Sequence, residues 1–306
     1  GEIIGKYRKI HLFNVMGGTE DEKITAVVPV SNFDPNSNLI MLTKKGNIKR
    51  IELDNFSNIR RNGIIAIGLD EGDSLNWVKL ATARDEIIIG TSCGMAIRFP
   101  IQDLRPLGRS ARGVISMKLR TGDEIVGCDI VPQDYDADLL VVTSDGFGKR
   151  TKLSEFRTQN RGGIGIKGRS TRDEDFIEHI YVATMHNTML FFTEKGRCYW
   201  LKVYDIPEGT RASKGRAIQN VLQIDPDDKV KAYINVRKLN DEEYVNNNYL
   251  IMCTRNGIIK KTLLEAYSRP RANGVNAITI KEGDQLLDVK LTSGNAQILL
   301  AAYEGK

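Results

Sequence analysis

LIMLTKKGNIKR, residues 39–50, is an apolar run that ends on a threonine, turns at a glycine three residues later and resumes among cations. The same design returns four times. EIIIGTSCGMAIRF carries Thr91 and Gly94, and LLVVTSDGFGKR carries Thr143 and Gly146. MLFFTEKGRCYWLK carries Thr193 and Gly196, and YLIMCTRNGIIKK carries Thr254 and Gly257. These glycines stand 48, 52, 50 and 61 residues apart, and the long interval holds the polar stretch LNDEEYVNNN, which reads as an extended surface loop. Self-similarity at such a period marks a repeat architecture, so it takes precedence over any single motif.

A second glycine follows each first one. Gly63, Gly113, Gly163, Gly215 and Gly274 lie 17, 19, 17, 19 and 17 residues after their partners, each in a cationic turn such as GRSARG or TRASKG. Alternating segments come next (IIAIGL, VISMKL, AITIKE), then acidic turns (DEGD, TGDE, DPDD, KEGD) and a last apolar strand. Period-two alternation is the pattern of half-buried strands, and the fully apolar first strands suit burial on both faces. Helical spacing is nearly absent; LSEF (153–156) and LLEAY (263–267) supply about one turn each. The acidic turns recur in every unit, which points to turn capping rather than catalysis. Four strands repeated about every fifty residues predict an all-β, six-bladed β-propeller or β-pinwheel spanning 1–306 as a single domain. The expected blades are 38–84, 85–135, 136–184, 187–237 and 247–291, with 1–31 and 292–306 sharing the sixth. The first fragment holds only the later part of a unit and the last only its beginning, so a shared blade would close the ring with no open edge.

Composition narrows the function. The chain of 306 residues is 41% hydrophobic and 27% charged, with a formal net charge of +5, a mild basicity compatible with a polyanion. Cys93, Cys128, Cys198 and Cys253 are scattered without Cys-x-x-Cys spacing, and there are only three histidines, so disulfide scaffolding and a zinc site are not expected. No apolar run approaches a membrane span and no signal-peptide pattern is present, so a cytoplasmic protein is expected. There is no Walker loop, His-Glu-x-x-His or Gly-x-Ser-x-Gly, and His11, His179 and His186 fall at different repeat positions. No catalytic residue, metal or cofactor is expected.

The basic loops carry the functional signal. Arg60 and Arg61, Arg109 and Arg112, Arg161, Arg211 and Lys214, and Arg269 and Arg271 recur at one place in successive units. In a radial array the same place in sequence is the same height on the rim, so these cations form a belt. A second row follows the first glycine: Lys49 and Arg50, Arg98, Lys149 and Arg150, Lys202, and Lys260 and Lys261. Two aligned rows suit a bent phosphate backbone, with loop glycines admitting close main-chain approach. Few aromatics accompany them, which favours gripping a duplex over stacking on single strands. A propeller serving as a protein-interaction platform is the alternative.

Three long stretches carry a resemblance: EDFIEHIYVATMHNTMLFFTEKGRCYWLKVYDIPEGTRASKGRAIQNVL, RRNGIIAIGLDEGD and FRTQNRGGIGIKG. The chain resembles the C-terminal DNA-wrapping domain of bacterial DNA gyrase A, and next the corresponding domain of topoisomerase IV. The resemblance implies a six-bladed β-pinwheel that exchanges strands between blades. It also implies a non-catalytic role in bending double-stranded DNA around a basic rim, in company with the rest of gyrase A and with gyrase B at the bacterial nucleoid. The family's signature box, Gln-Arg-Arg-Gly-Gly-Lys-Gly, reads here Gln159, Asn160, Arg161, Gly162, Gly163, Ile164, Gly165. Two of its three cations are lost, and Lys167, Arg169 and Arg172 stand nearby as compensation. The box follows two whole repeats and a fragment instead of lying in the first blade, an order that fits either a permuted or chimeric blade arrangement or a natural member with atypical repeats.

Overall fold

The structure is a computed structural model that describes residues 10–11, 24–58, 63–133, 135–143, 147–169, 176–217, 224–225 and 227–302. Arg60, Arg61, Gly146, Arg172 and Gly305, and most of the first fragment, lie outside the described residues. The hairpin predicted from LIMLTKKGNIKR is present: Ser37–Thr43 pairs antiparallel with Asn47–Glu52, and Ser37–Thr43 pairs on its other edge with Leu75–Thr82. The remaining four units repeat this three-stranded order, with first strands Glu86–Thr91, Asp138–Thr143, Thr188–Thr193 and Tyr249–Thr254.

Each recurring residue has a local task. The threonine hydroxyl that closes the first strand accepts the backbone N–H four residues on, as Thr43 does from Asn47 at 3.0 Å and Thr254 from Ile258 at 3.1 Å. The acidic turn reaches back to the same hairpin: Asp73 accepts from the Lys45 N–H at 3.0 Å, and Asp123, Asp228 and Asp284 take the N–H groups of Cys93, Lys195 and Asn256. A carboxylate on a turn N–H is a charge-assisted bond, so these acids lock turns, as their recurrence predicted. The two predicted helical turns are 3-10 turns at Leu153–Glu155 and Leu264–Tyr267.

The fourth strand of each full sheet comes from the neighbouring unit. Val114–Ile115 pairs with Asn47–Ile48, Ile166–Lys167 with Met95–Ala96, Arg216–Ala217 with Phe147–Gly148, and Val275–Asn276 with Arg197–Cys198. Ile10–His11 completes the set on Ile258–Ile259. The unit boundaries read from the repeat therefore cut across sheets. The glycine before each exchanged strand shows why. Gly113 has φ +93°, and a Cβ there would stand 2.5 Å from the Ile48 carbonyl oxygen; at Gly165, φ is +75° and the Ala96 oxygen would be 2.6 Å away. A side chain fits neither the dihedral nor the gap. Gly165, and not the predicted Gly163, is the equivalent glycine in the third unit.

Six clusters of buried apolar side chains lie between neighbouring sheets. Along Ser37–Thr43, Leu39 and Met41 face one neighbour while Ile40 and Leu42 face the other. That two-sided burial accounts for the uninterrupted apolar run. The innermost strands, including Ile24–Val30, Leu75–Thr82, Ile125–Val131 and Leu286–Thr292, all line one cavity of about 650 Å³.

Two expectations change. The ends do meet, Ile24–Val30 pairing with Gln297–Ala302, but among the described residues that sheet has two strands, and Gln297–Ala302 keeps one edge unpaired. The polar insertion is not an extended loop throughout. It holds the helix Glu242–Asn247, capped by the Asp241 carboxylate on the Tyr244 N–H, with Val245 buried beneath.

Candidate nucleic-acid interface

The loops preceding the exchanged strands bring the first row of cations to equivalent places. Arg109, Arg161 and Arg211 each lie four residues before a crossing glycine (Gly113, Gly165 and Gly215), and each is partly exposed. Arg112, Lys214, Arg269 and Arg271 are exposed. Arg112 meets Asp70 at 2.9 Å and Arg211 lies 3.9 Å from Glu155, both on open surface. Such surface pairs are weak and leave the cations available to a polyanion. Lys118, Arg120 and Arg216 are exposed beside the same loops and belong with them. Sequence reading passed over these three because they follow the glycine, inside segments read only for alternation.

The second row does something else. Lys49 and Lys149 are buried, at 0% and 1% exposure. The Lys49 ammonium donates to the carbonyls of Ala66 and Arg109, each at 2.6 Å; that of Lys149 donates to Thr210 at 2.6 Å and Arg211 at 2.8 Å. Burial lowers the Lys49 ammonium to about 8, and burial reinforced by the nearby Arg169 guanidinium lowers Lys149 to about 8. Lys260 likewise donates to the Ala277 carbonyl. Lys49 and Lys149 hold up the basic loops from beneath instead of facing solvent, whereas Lys260 is half-buried.

The next residue along the strand reaches the neighbouring unit's 3-10 turn. Arg50 donates to the Leu104 carbonyl at 3.2 Å, Arg98 to Leu153 at 3.0 Å, Arg150 to Ile206 at 2.9 Å and Trp200 to Tyr267 at 2.8 Å. Arg150 also pairs with Asp138 at 2.9 Å, nearly enclosed, and Arg98 pairs with Glu86. Lys202 donates to Thr188 at 2.8 Å, and Lys261 to the Gly294 carbonyl at 3.2 Å while lying over the Tyr249 ring. Of the predicted second belt, Arg50, Arg98 and Arg150 are thus inter-sheet clasps, while Lys202 bonds within its own sheet. A cation whose donors are spent on buried carbonyls is not free for a phosphate without breaking the fold.

The box divides the same way. Arg161 donates to the Ile115 carbonyl at 2.6 Å, the Gly162 N–H to Ser116 and the Lys118 N–H to Gly163, each at 2.8 Å. The loop is stitched to the preceding exchanged strand and its extension. The Gln159 N–H bonds the Arg98 carbonyl at 2.8 Å, while its side-chain nitrogen is enclosed without an acceptor among the described residues. Ile164, at the family's lysine position, is 60% exposed, and Lys167 is exposed on the exchanged strand. Arg169 is 1% exposed, its guanidinium bonding the Phe147 and Lys214 carbonyls, so it supports the next loop instead of replacing a lost surface cation.

Around the central cavity, Asp129 accepts from Lys79 at 3.2 Å, Tyr233 at 2.9 Å and the Val182 N–H at 3.0 Å. Burial opposes the Lys79 charge, but Asp129 beside it outweighs burial and holds the ammonium above its ordinary range. Burial lowers His179, whose Nε2 meets the Val230 carbonyl at 2.9 Å. Among the described residues no group of His, Cys, Asp or Glu side chains is disposed to hold a metal ion, and no helix is long and apolar enough to cross a membrane.

The profile of the DNA gyrase C-terminal domain, a β-propeller, matches residues 37–82, 85–132, 137–184, 187–245 and 248–293. The chain belongs to this family. The matched stretches coincide with five of the repeats, and the gyrase domain is an accessory, non-catalytic part of a topoisomerase. DNA gyrase A of Synechocystis sp. is 37% identical over 269 residues, covering 77% of this chain and 31% of that protein. DNA gyrase A of Staphylococcus aureus (strain MRSA252) is 37% identical over 244 residues, 79% of this chain and 27% of that protein. The chain therefore spans about a third or less of these curated relatives. Among solved structures, the C-terminal domain of DNA topoisomerase IV superposes with TM-score 0.66 at 26% identity, covering 75% of this chain and 71% of that one. A gyrase A C-terminal domain superposes with TM-score 0.64 at 18% identity over 84% and 82%, a likeness of fold.

Proposed function

We propose that this gyrase C-terminal domain binds duplex DNA by its phosphate backbone and bends it along the edge that carries the exchanged-strand loops. It would act as the DNA-wrapping accessory of a bacterial type IIA topoisomerase, with the rest of gyrase A and gyrase B as its protein partners and the nucleoid as its place. In this reading the ring has six blades, the paired terminal strands sharing the sixth. The observation that carries it is the equivalence of Arg109, Arg161 and Arg211, held four residues before the crossing glycine in three successive sheets. Repetition at one height gives a curved track of cations, so affinity follows phosphate contacts and not sequence.

The test is a gel-shift series on duplexes of increasing length and salt, followed by religation of nicked circles with the domain bound. Affinity is expected to rise with length over a few tens of base pairs and to fall about 0.9 log units per neutralised phosphate per decade of salt. Six engaged cations would weaken binding about a thousandfold between 50 and 200 mM salt. The religated circles should show a shifted linking number. Affinity indifferent to length and salt would defeat the proposal and favour a protein-interaction platform.

A further inference from the structure

Ile115 and Ile164 stand where the repeat has no need of an apolar side chain. Ile115 is the second residue after the crossing glycine Gly113, on an exchanged strand where it pairs with Asn47. The same place holds Lys167 after Gly165 and Asn276 after Gly274, both exposed. Ile164 fills the position of the box lysine. Ile115 is 57% exposed and Ile164 60%, so packing explains neither.

The two come from successive units, and the fold brings their backbones together. Arg161 donates to the Ile115 carbonyl at 2.6 Å, and a Cβ on Gly162 would lie 3.9 Å from that same oxygen. The Gly162 N–H reaches the Ser116 carbonyl and the Lys118 N–H the Gly163 carbonyl, each at 2.8 Å. The box loop thus runs along the strand that carries Ile115, with Ile164 on the next peptide. Ser116 is fixed in turn, its hydroxyl donating to the Gly46 carbonyl at 2.7 Å. Both isoleucines ride on a pinned backbone, so a ligand meets them with little ordering left to do. The same two segments carry Arg112, Lys118, Arg120, Arg161 and Lys167.

We infer that Ile115 and Ile164 form an apolar contact for the deoxyribose faces of the minor groove, where the bent duplex turns that groove toward the protein. This rests on the duplex-binding reading above and adds a component to it that salt does not screen. The five cations argue for the occupant: they suit a polyanion, and the apolar surface that lies between two phosphate rows is sugar. A minor groove about 6 Å wide brings the sugars of both strands within reach of two neighbouring side chains. Apolar residues set among cations are the usual means of engaging that groove on bent DNA. A stable protein partner would need roughly 800 Å² on each side, far more than two side chains offer. An RNA duplex presents hydroxyls across a wide, shallow minor groove, where the same isoleucines gain nothing. The pair therefore selects DNA over RNA without reading sequence.

The test compares the native chain with Ile115→Asn, Ile164→Ser and the double variant on DNA and RNA duplexes of one sequence and length, by fluorescence anisotropy across a salt series. Asn276 shows that the exchanged strand accepts asparagine at this place. Circular dichroism and the urea midpoint should match the native protein. Each change should weaken DNA binding about fivefold at every salt concentration, the effect of losing a partly buried isoleucine contact. The slope of log affinity against log salt should stay the same. RNA binding should not change, so the preference for DNA should fall by the same factor. Unchanged DNA affinity in the double variant overturns the inference, and so does an equal loss on the two duplexes. A shifted slope overturns it as well, because the isoleucines would then be acting through the cationic loops. Native binding that is salt-sensitive while the variants match it defeats this inference alone. Native binding that ignores salt defeats the duplex-binding reading, and this inference with it.

Discussion

Lys149 and Arg211 are both cations of the repeat, yet one is the floor of a loop and the other its outer surface. A lysine at a buried strand position places its ammonium among carbonyls, where lost hydration lowers its proton affinity. Below pH about 8 both folded and unfolded Lys149 carry the proton; between about 8 and 10.5 the folded form releases it first. The unfolded state then binds more protons, so stability rises with pH through that window. Relative to Lys149→Met, the native protein should gain about 1–2 kcal/mol between pH 7 and 9.5, read by urea unfolding. The same variant should leave the salt slope of DNA binding unchanged, since a buried ammonium releases no counterion. Ile164 makes the opposite case, an exposed apolar residue in a basic loop. Ile164→Lys should steepen the slope of log affinity against log salt by about 0.9 and tighten binding several-fold at low salt. An unchanged slope would place the box loop away from the duplex.

At the scale of the element, the exchanged strand depends on a glycine that tolerates two insults at once. Gly113→Ala adds a methyl 2.5 Å from the Ile48 carbonyl oxygen at φ +93°. Strain plus displacement of a packed strand should cost about 2–4 kcal/mol. Gly63→Ala carries the dihedral strain alone and should cost about 1 kcal/mol, so urea midpoints of the two variants separate crossing from conformation. The hairpins were readable from Thr43, Gly46 and their repeats because threonine lock, glycine turn and strand alternation are all local. The crossing glycine of the third unit was not. Gly163 and Gly165 stand two residues apart in one loop, and only the partner carbonyl of Ala96 distinguishes them. The helix Glu242–Asn247 escaped for a related reason: its only apolar residues, Tyr244 and Val245, are adjacent in sequence, so they show no helical period.

At the scale of the molecule, each sheet is wedged between two others, and the loops ride on clasps from the sheet before. Function in the proposed reading is a sum over the rim, so no single loop should dominate. Charge reversal of Arg109 and Arg112 in one unit, or of Arg211 and Lys214 in another, should each weaken DNA binding by about tenfold or more at low salt. The two changes should combine nearly additively, because the loops lie in different sheets with no shared partner. Circular dichroism should stay unchanged in all three proteins. Unfolding instead would assign these four residues to the frame.

The amino-acid sequence determined the repeat, its hairpins, its acidic turn locks and the two-sided burial of the first strands. Each of these is carried by residues close along the chain, and each recurs until chance is excluded. The partners between units were decided only in the tertiary structure. Lys49 and Arg109 are both cations that the repeat places in aligned rows, but the fold turns one inward onto carbonyls and the other toward solvent. A strand position's face is set by register, and register with the neighbouring sheet is a long-range relation that a local pattern does not encode. Lys49, Arg50, Arg98, Lys149, Arg150 and Arg169, which read as a surface, are for this reason the fastenings beneath it.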